Sequence, residues 1–427
     1  MLTPQIAESY LAILDEELIP AMGCTEPIAL AYAAARGAEV LGCPPEHIEA
    51  RCSGNIIKNV RCVRIPNSGG MTGIEAACAL GALCGDPSRN MEVLESVTEQ
   101  GRQAAARFLA RQGCRVTYLD SPIPLHFFIT LQGGGNRVEV EVRHHHTAIA
   151  SILRNGTPVY VNPDLSETPQ RAERGLLSIE NIVEFANEIP LEAIAPYARR
   201  QIDCNMAISR QGMTGKYGLG IGSAILRTYP DCAITKARAY TAAASEARME
   251  GCDLPVIITS GSGNQGIAST VPVIVYAQEM GICQERLYRA LAFSSLLTVY
   301  QKEYIGKLSA FCGAVSASCA AGAAITYMLG GTLQQIKDTI DNTLADVPGI
   351  LCDGAKASCA VKIASALDAA LLAHSLAMAG KAYAANTGIL REDAGQTISC
   401  VGHIGKFGMK QTDTEIVRLM IREEAPC

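Results

Sequence analysis

The sequence predicts an α+β fold: an N-terminal α/β part with a small antiparallel sheet, followed by a large all-α C-terminal domain. Three observations lead there. Valines alternating with charged residues mark strands between residues 125 and 143. After about Ile179 the chain reads as Ala-rich helical segments separated by glycines. The composition, 48% hydrophobic and 18% charged, belongs to a chain with a sizeable buried core. The predicted division is an α+β domain over residues 1–178 and an all-helical domain over 179–427. Trp is absent and aromatics are scarce, so Ala, Ile, Leu, Val and Cys must build the core.

The elements follow in order. Thr3 before Pro4 is a helix start, and Ile6, Tyr10, Ile13, Leu14 and Leu18 share one helical face. Thr25 is read as the cap of a second helix that runs through Ala29 to about Leu41. Arg51–Cys52 and Val60–Ile65 read as short strands. Helices are predicted from Gly73 to Leu83 and from Met91 to Ala110. Strands Leu125–Leu131 and Arg137–Arg143 flank the turn Gly133–Gly134–Gly135–Asn136, with one wet face. Asn155–Gly156 turns the chain toward Val159–Val161, and Pro163–Arg174 reads as a surface connection.

A net charge of -6 with no basic tract gives no reason to bind nucleic acid. The start, MLTPQIAESYLAILDEEL, has no basic n-region, so no signal peptide is expected and the predicted location is cytoplasmic. There the 17 cysteines are thiols or metal ligands rather than disulfides, most of them core residues. The uncharged run Leu308–Ile336 has the length of a membrane span. Its Ala, Gly, Ser and Cys favour a tightly packed buried helix or helix pair, so no membrane partner is expected.

Cys312, Cys352 and Cys359 lie in stretches poor in charge. Three thiolates can hold an iron–sulfur cluster and leave one iron without a protein ligand. There is no CxxC, which disfavours zinc ribbons and ferredoxin loops. Spacing alone favours plain buried thiols; Cys319 repeats the seven-residue interval beyond Cys312. Cys24, in GCTEP, precedes a helix, where the dipole lowers a thiol pKa; it is either a small buried residue or a functional thiolate. Gly261, Gly263 and Gly266 match GxGxxG, but helical surroundings argue against a dinucleotide site. The element that remains is an anion-binding helix start, with Ser260, Ser262 and Asn264 adding hydrogen bonds, or else a close helix contact. Asn67, Ser68 and Gly69 form a similar polar turn, and Ser53–Gly54–Asn55 with Lys58 a weaker one. His144, His145 and His146 cannot converge on one ion from a strand and read as a solvated strand end. Asp353 and Lys356 either tune a cluster or cap a local turn.

GCTEP at 23–27, NSGGMTGIEAACALG at 67–81, SGSGNQGI at 260–267 and the three late cysteines together resemble the L-cysteine desulfidase family, which is related to the α-type iron–sulfur L-serine dehydratases. The resemblance extends to GHIGKFGMKQTD at 402–413, nearly the whole chain. It implies a 4Fe–4S cluster held by Cys312, Cys352 and Cys359, and breakdown of L-cysteine to pyruvate, hydrogen sulfide and ammonia. It also implies Cys24 as the base; a temporary ligand role on the open iron stays open, as does a minor tail-ligand role for Cys427. Substrate contacts are expected from Asn67, Ser68, Gly69, Ser260, Gly261, Ser262, Gly263 and Asn264. L-Serine is the alternative substrate, a metal- or redox-sensing protein the rival of another class, and a homodimer the general expectation.

Overall fold

A computed structural model describes residues 2–163, 172–306 and 309–421. Most of the expected connection 163–174 and Cys427 therefore lie outside the described residues. The N-terminal half contains α1 (Pro4–Glu17), β1 (Pro20–Met22), α2 (Thr25–Leu41), β2 (His47–Cys52), α3 (Gly54–Val60), α4 (Gly73–Cys84), α5 (Glu99–Ala110), β3 (Cys114–Tyr118), β4 (His126–Gly133), β5 (Asn136–Arg143), β6 (Ile149–Arg154) and β7 (Thr157–Val161). Then come α6 (Ile179–Glu188), α7 (Leu191–Gly212), α8 (Ile221–Thr228), α9 (Ala233–Met249), β8 (Pro255–Ile257), α10 (Gly263–Glu279), α11 (Gln284–Ile305), α12 (Gly313–Met328), α13 (Leu333–Asp346), α14 (Cys359–Met378), α15 (Ala394–His403) and α16 (Lys410–Ile421). The α+β class, with a small sheet first and helices after, is what the sequence predicts.

The main sheet has the order β3-β2-β4-β5-β6-β7. It is antiparallel except for β2 and β3, which run parallel. The departure has a topological cause: β2 reaches β3 only through α3, α4 and α5, the long helical crossover that parallel neighbours need. Val138, Val140 and Val142 point into the core beneath α2, while Glu139 and Glu141 face outward among Arg51, Arg137 and His126.

Two other expectations are corrected. Val60–Ile65 is not a strand: α3 ends at Val60, and only Arg64 makes a bridge, to Thr72. The helix expected over Met91–Ala110 begins at Glu99, because the Thr98 hydroxyl accepts the Gly101 N–H and caps it there.

The cores divide by contact rather than by chain position. Tyr10, Ile13, Leu14 and Leu18 pack with Phe185, Leu291 and Val271, so α1 belongs to the helical body. β1 pairs with β8, the one short strand in the otherwise helical C-terminal part among the described residues. α12 is buried along almost its whole length, between α10, α11, α13 and α14, as the buried-helix reading of the uncharged run requires. Among the described residues α14 is the one helix long and apolar enough to cross a membrane, but most of it is buried against α9, α12 and α13.

One buried group on α14 makes stability depend on pH. His374 is 3% exposed, its Nδ1 is 2.8 Å from the Thr326 hydroxyl, and burial holds its pKa down at about 4. The unfolded chain takes up the proton near the ordinary value of about 6.5, so stability is full above that pH and is lost as pH falls toward 4. Thermal melts should show a loss on the order of 2 kcal/mol between pH 7 and 5, and His374→Gln should flatten that slope. An identical slope in the variant would assign the loss to other groups.

Candidate active site

Cys312 and Cys352 are brought side by side by backbone pairing. Phe311 and Leu351 form an antiparallel bridge; the Cys312 N–H reaches the Ile350 carbonyl at 2.8 Å, and the Cys352 N–H reaches the Ala310 carbonyl at 2.7 Å. After Cys352 the chain turns down onto α3 at Gly354, where φ is +100°. A Cβ there would lie 2.0 Å from the Lys58 carbonyl oxygen, so only glycine permits this approach. The turn delivers Cys359 to the first residue of α14, its Sγ 3.8 Å from the Gly354 carbonyl. The Cys312 thiol hydrogen-bonds Cys352, and Cys359 lies within electrostatic reach of both. Cys319 is fully buried inside α12, in the apolar core.

Positive charge surrounds this trio. The hydrogen bond from Cys312 holds the Cys352 pKa down at about 6; burial opposes it, and Lys58, the Gly354 N–H and Lys362 assist it. The same hydrogen bond, with burial, pushes Cys312 up, while burial raises Cys359. Lys58 is 2% exposed; its Nζ lies 2.5 Å from Asp413 and 3.4 Å from the Ser309 carbonyl. Lys362 donates to the Leu351 carbonyl and to Asp353. Burial would raise Asp353, but its ion pairs with Lys356 and Lys362 hold it at about 2. Lys302, on α11, is 4% exposed and is lowered to about 8 by burial, against the pull of Cys312 and Cys352.

Cys24 joins the group from the other half of the chain. It is the N-cap of α2 and packs with Val63, Met249 and Cys359 in one buried cluster. The dipole argument predicts a lowered pKa; instead burial pushes this thiol up to about 12, with the Arg248 guanidinium pulling the other way. A dipole contribution of about 1 kcal/mol cannot offset full removal from water.

The glycine turn lies beside it. Thr259 and Ser262 exchange backbone hydrogen bonds around Ser260 and Gly261, both at positive φ. The Thr25 hydroxyl donates to the Gly261 carbonyl at 3.1 Å, and Ser262 caps α10 without a side-chain bond. Asn264 accepts from Ser245 at 3.2 Å. Gly263 rests on the Arg248 guanidinium, where a Cβ would fall 2.3 Å from Nε. Gln265 lies against Gly313, the first residue of α12. The turn thus touches the starts of both the Cys24 and Cys312 helices.

The other polar turn is committed differently. The Asn67 amide nitrogen lies 3.0–3.1 Å from the carbonyls of Leu94, Glu95 and Val97, and its oxygen accepts from Arg102. Asn67, Ser68 and Gly69 line a surface cleft of about 350 Å³ with Arg64, Arg102 and Glu250. The histidine run is not a solvated strand end: His146 is half-buried, and its ring lies beside Gly261. Arg248 and Lys302 were not singled out by the sequence. Each sits among other charged residues on its helix, so the sequence carries no signal that sets it apart.

Among the described residues, no three His, Cys, Asp or Glu side chains converge on a single metal ion. A cluster makes a different demand, because each thiolate takes its own iron and the sulfur atoms need only line a common pocket. An all-thiol donor set ringed by Lys58, Lys302 and Lys362 fits a soft, anionic iron–sulfur group.

The buried and half-buried thiols are thus flanked by cations and lie near the Ser260–Gly263 turn. The comparisons with known proteins give the class. The serine dehydratase alpha chain family matches residues 88–418. UPF0597 proteins of Lachnoclostridium phytofermentans and Treponema denticola are each 44% identical, over 97% of this chain and 99% and 98% of theirs. One from Parabacteroides distasonis is 36% identical over 97% of this chain and 98% of its own. The chain belongs to the serine dehydratase alpha chain family. That membership makes it an iron–sulfur serine dehydratase-like lyase with a small-molecule substrate.

Proposed function

We propose that this protein eliminates sulfide from L-cysteine, giving pyruvate, hydrogen sulfide and ammonia. The proposed cofactor is a 4Fe–4S cluster held by Cys312, Cys352 and Cys359. The observation that supports this reading best is the gathering of those thiols with Cys24, from widely separated parts of the chain. When bound, such a cluster supplies a Lewis-acidic iron that stabilises a departing heteroatom.

The chain's own groups do the rest. The turn Ser260–Gly261–Ser262–Gly263–Asn264 receives the substrate carboxylate on backbone N–H groups at the start of α10. Cys24 removes the Cα proton as its thiolate. Burial makes that thiolate a strong base, and Arg248 is the neighbouring charge that favours it. Lys58 and Lys362 balance the anionic sulfur atoms. The released aminoacrylate hydrolyses in water.

L-Serine is the second reading, favoured by the family match, with hydroxide as the leaving group. The test is iron and labile sulfide content of oxygen-free protein, followed by pyruvate formation from each substrate. A higher kcat/KM for cysteine, with equimolar sulfide, is expected. A higher value for serine would select the dehydratase, and loaded protein that makes pyruvate from neither would end both readings.

A further inference from the structure

Arg248 stands out when every buried charge is matched to its partners. It is 3% exposed, at the end of α9, where a charge must be compensated. One Nη2 hydrogen donates to the Gly23 carbonyl at 2.7 Å, and the guanidinium lies within electrostatic reach of the Cys24 thiol. The Nε–H is buried and has no partner. The guanidinium packs beside Gly263, the first residue of α10, where a Cβ would fall 2.3 Å from Nε. The same turn holds two further buried atoms without partners, the Thr259 hydroxyl and the Gln265 side-chain oxygen. A guanidinium offers five donors in a planar fork that matches a carboxylate. Its charge acts on the Cys24 and Cys359 thiols, and among the described residues no carboxylate forms an ion pair with it.

We propose that Arg248 is the anchor for the substrate carboxylate, bridging the α10 start and Cys24. The inference rests on the lyase reading above and adds the residue that selects α-amino acids over amines. A carboxylate on Arg248 sits beside the thiol that must reach Cα. It also satisfies the orphan Nε–H with a charge-assisted bond.

The test uses two thiols that differ in the group Arg248 would read. 3-Mercaptopropionate carries a carboxylate and no amine; cysteamine carries an amine and no carboxylate. Calorimetric binding of each to oxygen-free, cluster-loaded protein is compared for wild type, Arg248→Lys and Arg248→Met. The Met variant should bind 3-mercaptopropionate about tenfold or more weakly, with cysteamine unchanged within about twofold, and the Lys variant should fall between. Equal losses for both ligands, which a purely structural role produces, would overturn the proposal. So would unchanged affinity for 3-mercaptopropionate, or a wild-type protein that does not bind it. The lyase reading fails separately: Arg248-dependent binding in a protein that makes no pyruvate would sink that reading and leave the anchor standing.

Discussion

Cys352→Ala is expected to lose bound iron and at least about a hundredfold in kcat/KM, because it removes a ligand and not merely a neighbour of one. Its thiolate form is favoured by its neighbours: Cys312 lies beside it, and Lys58 and Lys362 lie within electrostatic reach. Removing it leaves Cys312 without its neighbouring thiol and takes away the sulfur that Lys58 and Lys362 face. The fold should survive, because the Cys352 backbone N–H keeps its bond to the Ala310 carbonyl and the side chain is only half-buried. Melting of the metal-free variant should therefore stay within about 1 kcal/mol of wild type. Cys319→Ala supplies the contrast. That side chain is fully buried in the apolar core, so its loss should cost about 1 kcal/mol of stability and leave iron content unchanged. If Cys352→Ala retained its full iron, or if Cys319→Ala lost it, the assignment of cluster ligands would be wrong.

The contrast between these two cysteines also shows what the sequence could convey. A seven-residue interval is common to both sites, so spacing alone did not separate Cys319 from Cys359. The surrounding motifs did. The structure supplies their reason in part: Asp413, in the late GHIGKFGMKQTD segment, pairs with Lys58, whose carbonyl receives the Gly354 turn. A residue far away in sequence thereby supports the floor beneath Cys352.

Local elements were legible where local physics decides them. α2 ends at Leu41 as read, although its N-cap is Cys24 rather than Thr25, and the β4–β5 hairpin turns at Gly134 and Gly135. Where the outcome depends on distant partners, the sequence was mute. Nothing in CRVTY announces a strand parallel to β2. Nor does an amphipathic first helix reveal that its apolar face meets Phe185 rather than the nearby sheet. Arg248 was hidden for a related reason: a charge in SEARM reads as solvated until its exposure of 3% is known. The sign of the Cys24 shift failed similarly. Position at a helix start is written in the sequence, whereas complete burial is not.

That sign sharpens the expectation for Cys24→Ala. Burial holds the Cys24 thiol at about 12 even with Arg248 beside it, so its thiolate, when formed, is a strong base. The variant should keep its iron, because Cys312, Cys352 and Cys359 remain. Turnover should fall by about 10²- to 10⁴-fold, the range for loss of a general base. Exchange of the substrate Cα hydrogen with deuterated solvent should disappear along with it. Arg248 keeps its bond to the Gly23 carbonyl, so the helix start is held in place and the loss is chemical rather than structural. Iron content and the resting cluster spectrum separate the two roles open to Cys24. An unchanged spectrum with lost proton exchange assigns it to the proton. An altered spectrum at full iron content, with exchange preserved, assigns it to the open iron instead, and undiminished turnover removes it from the reaction altogether.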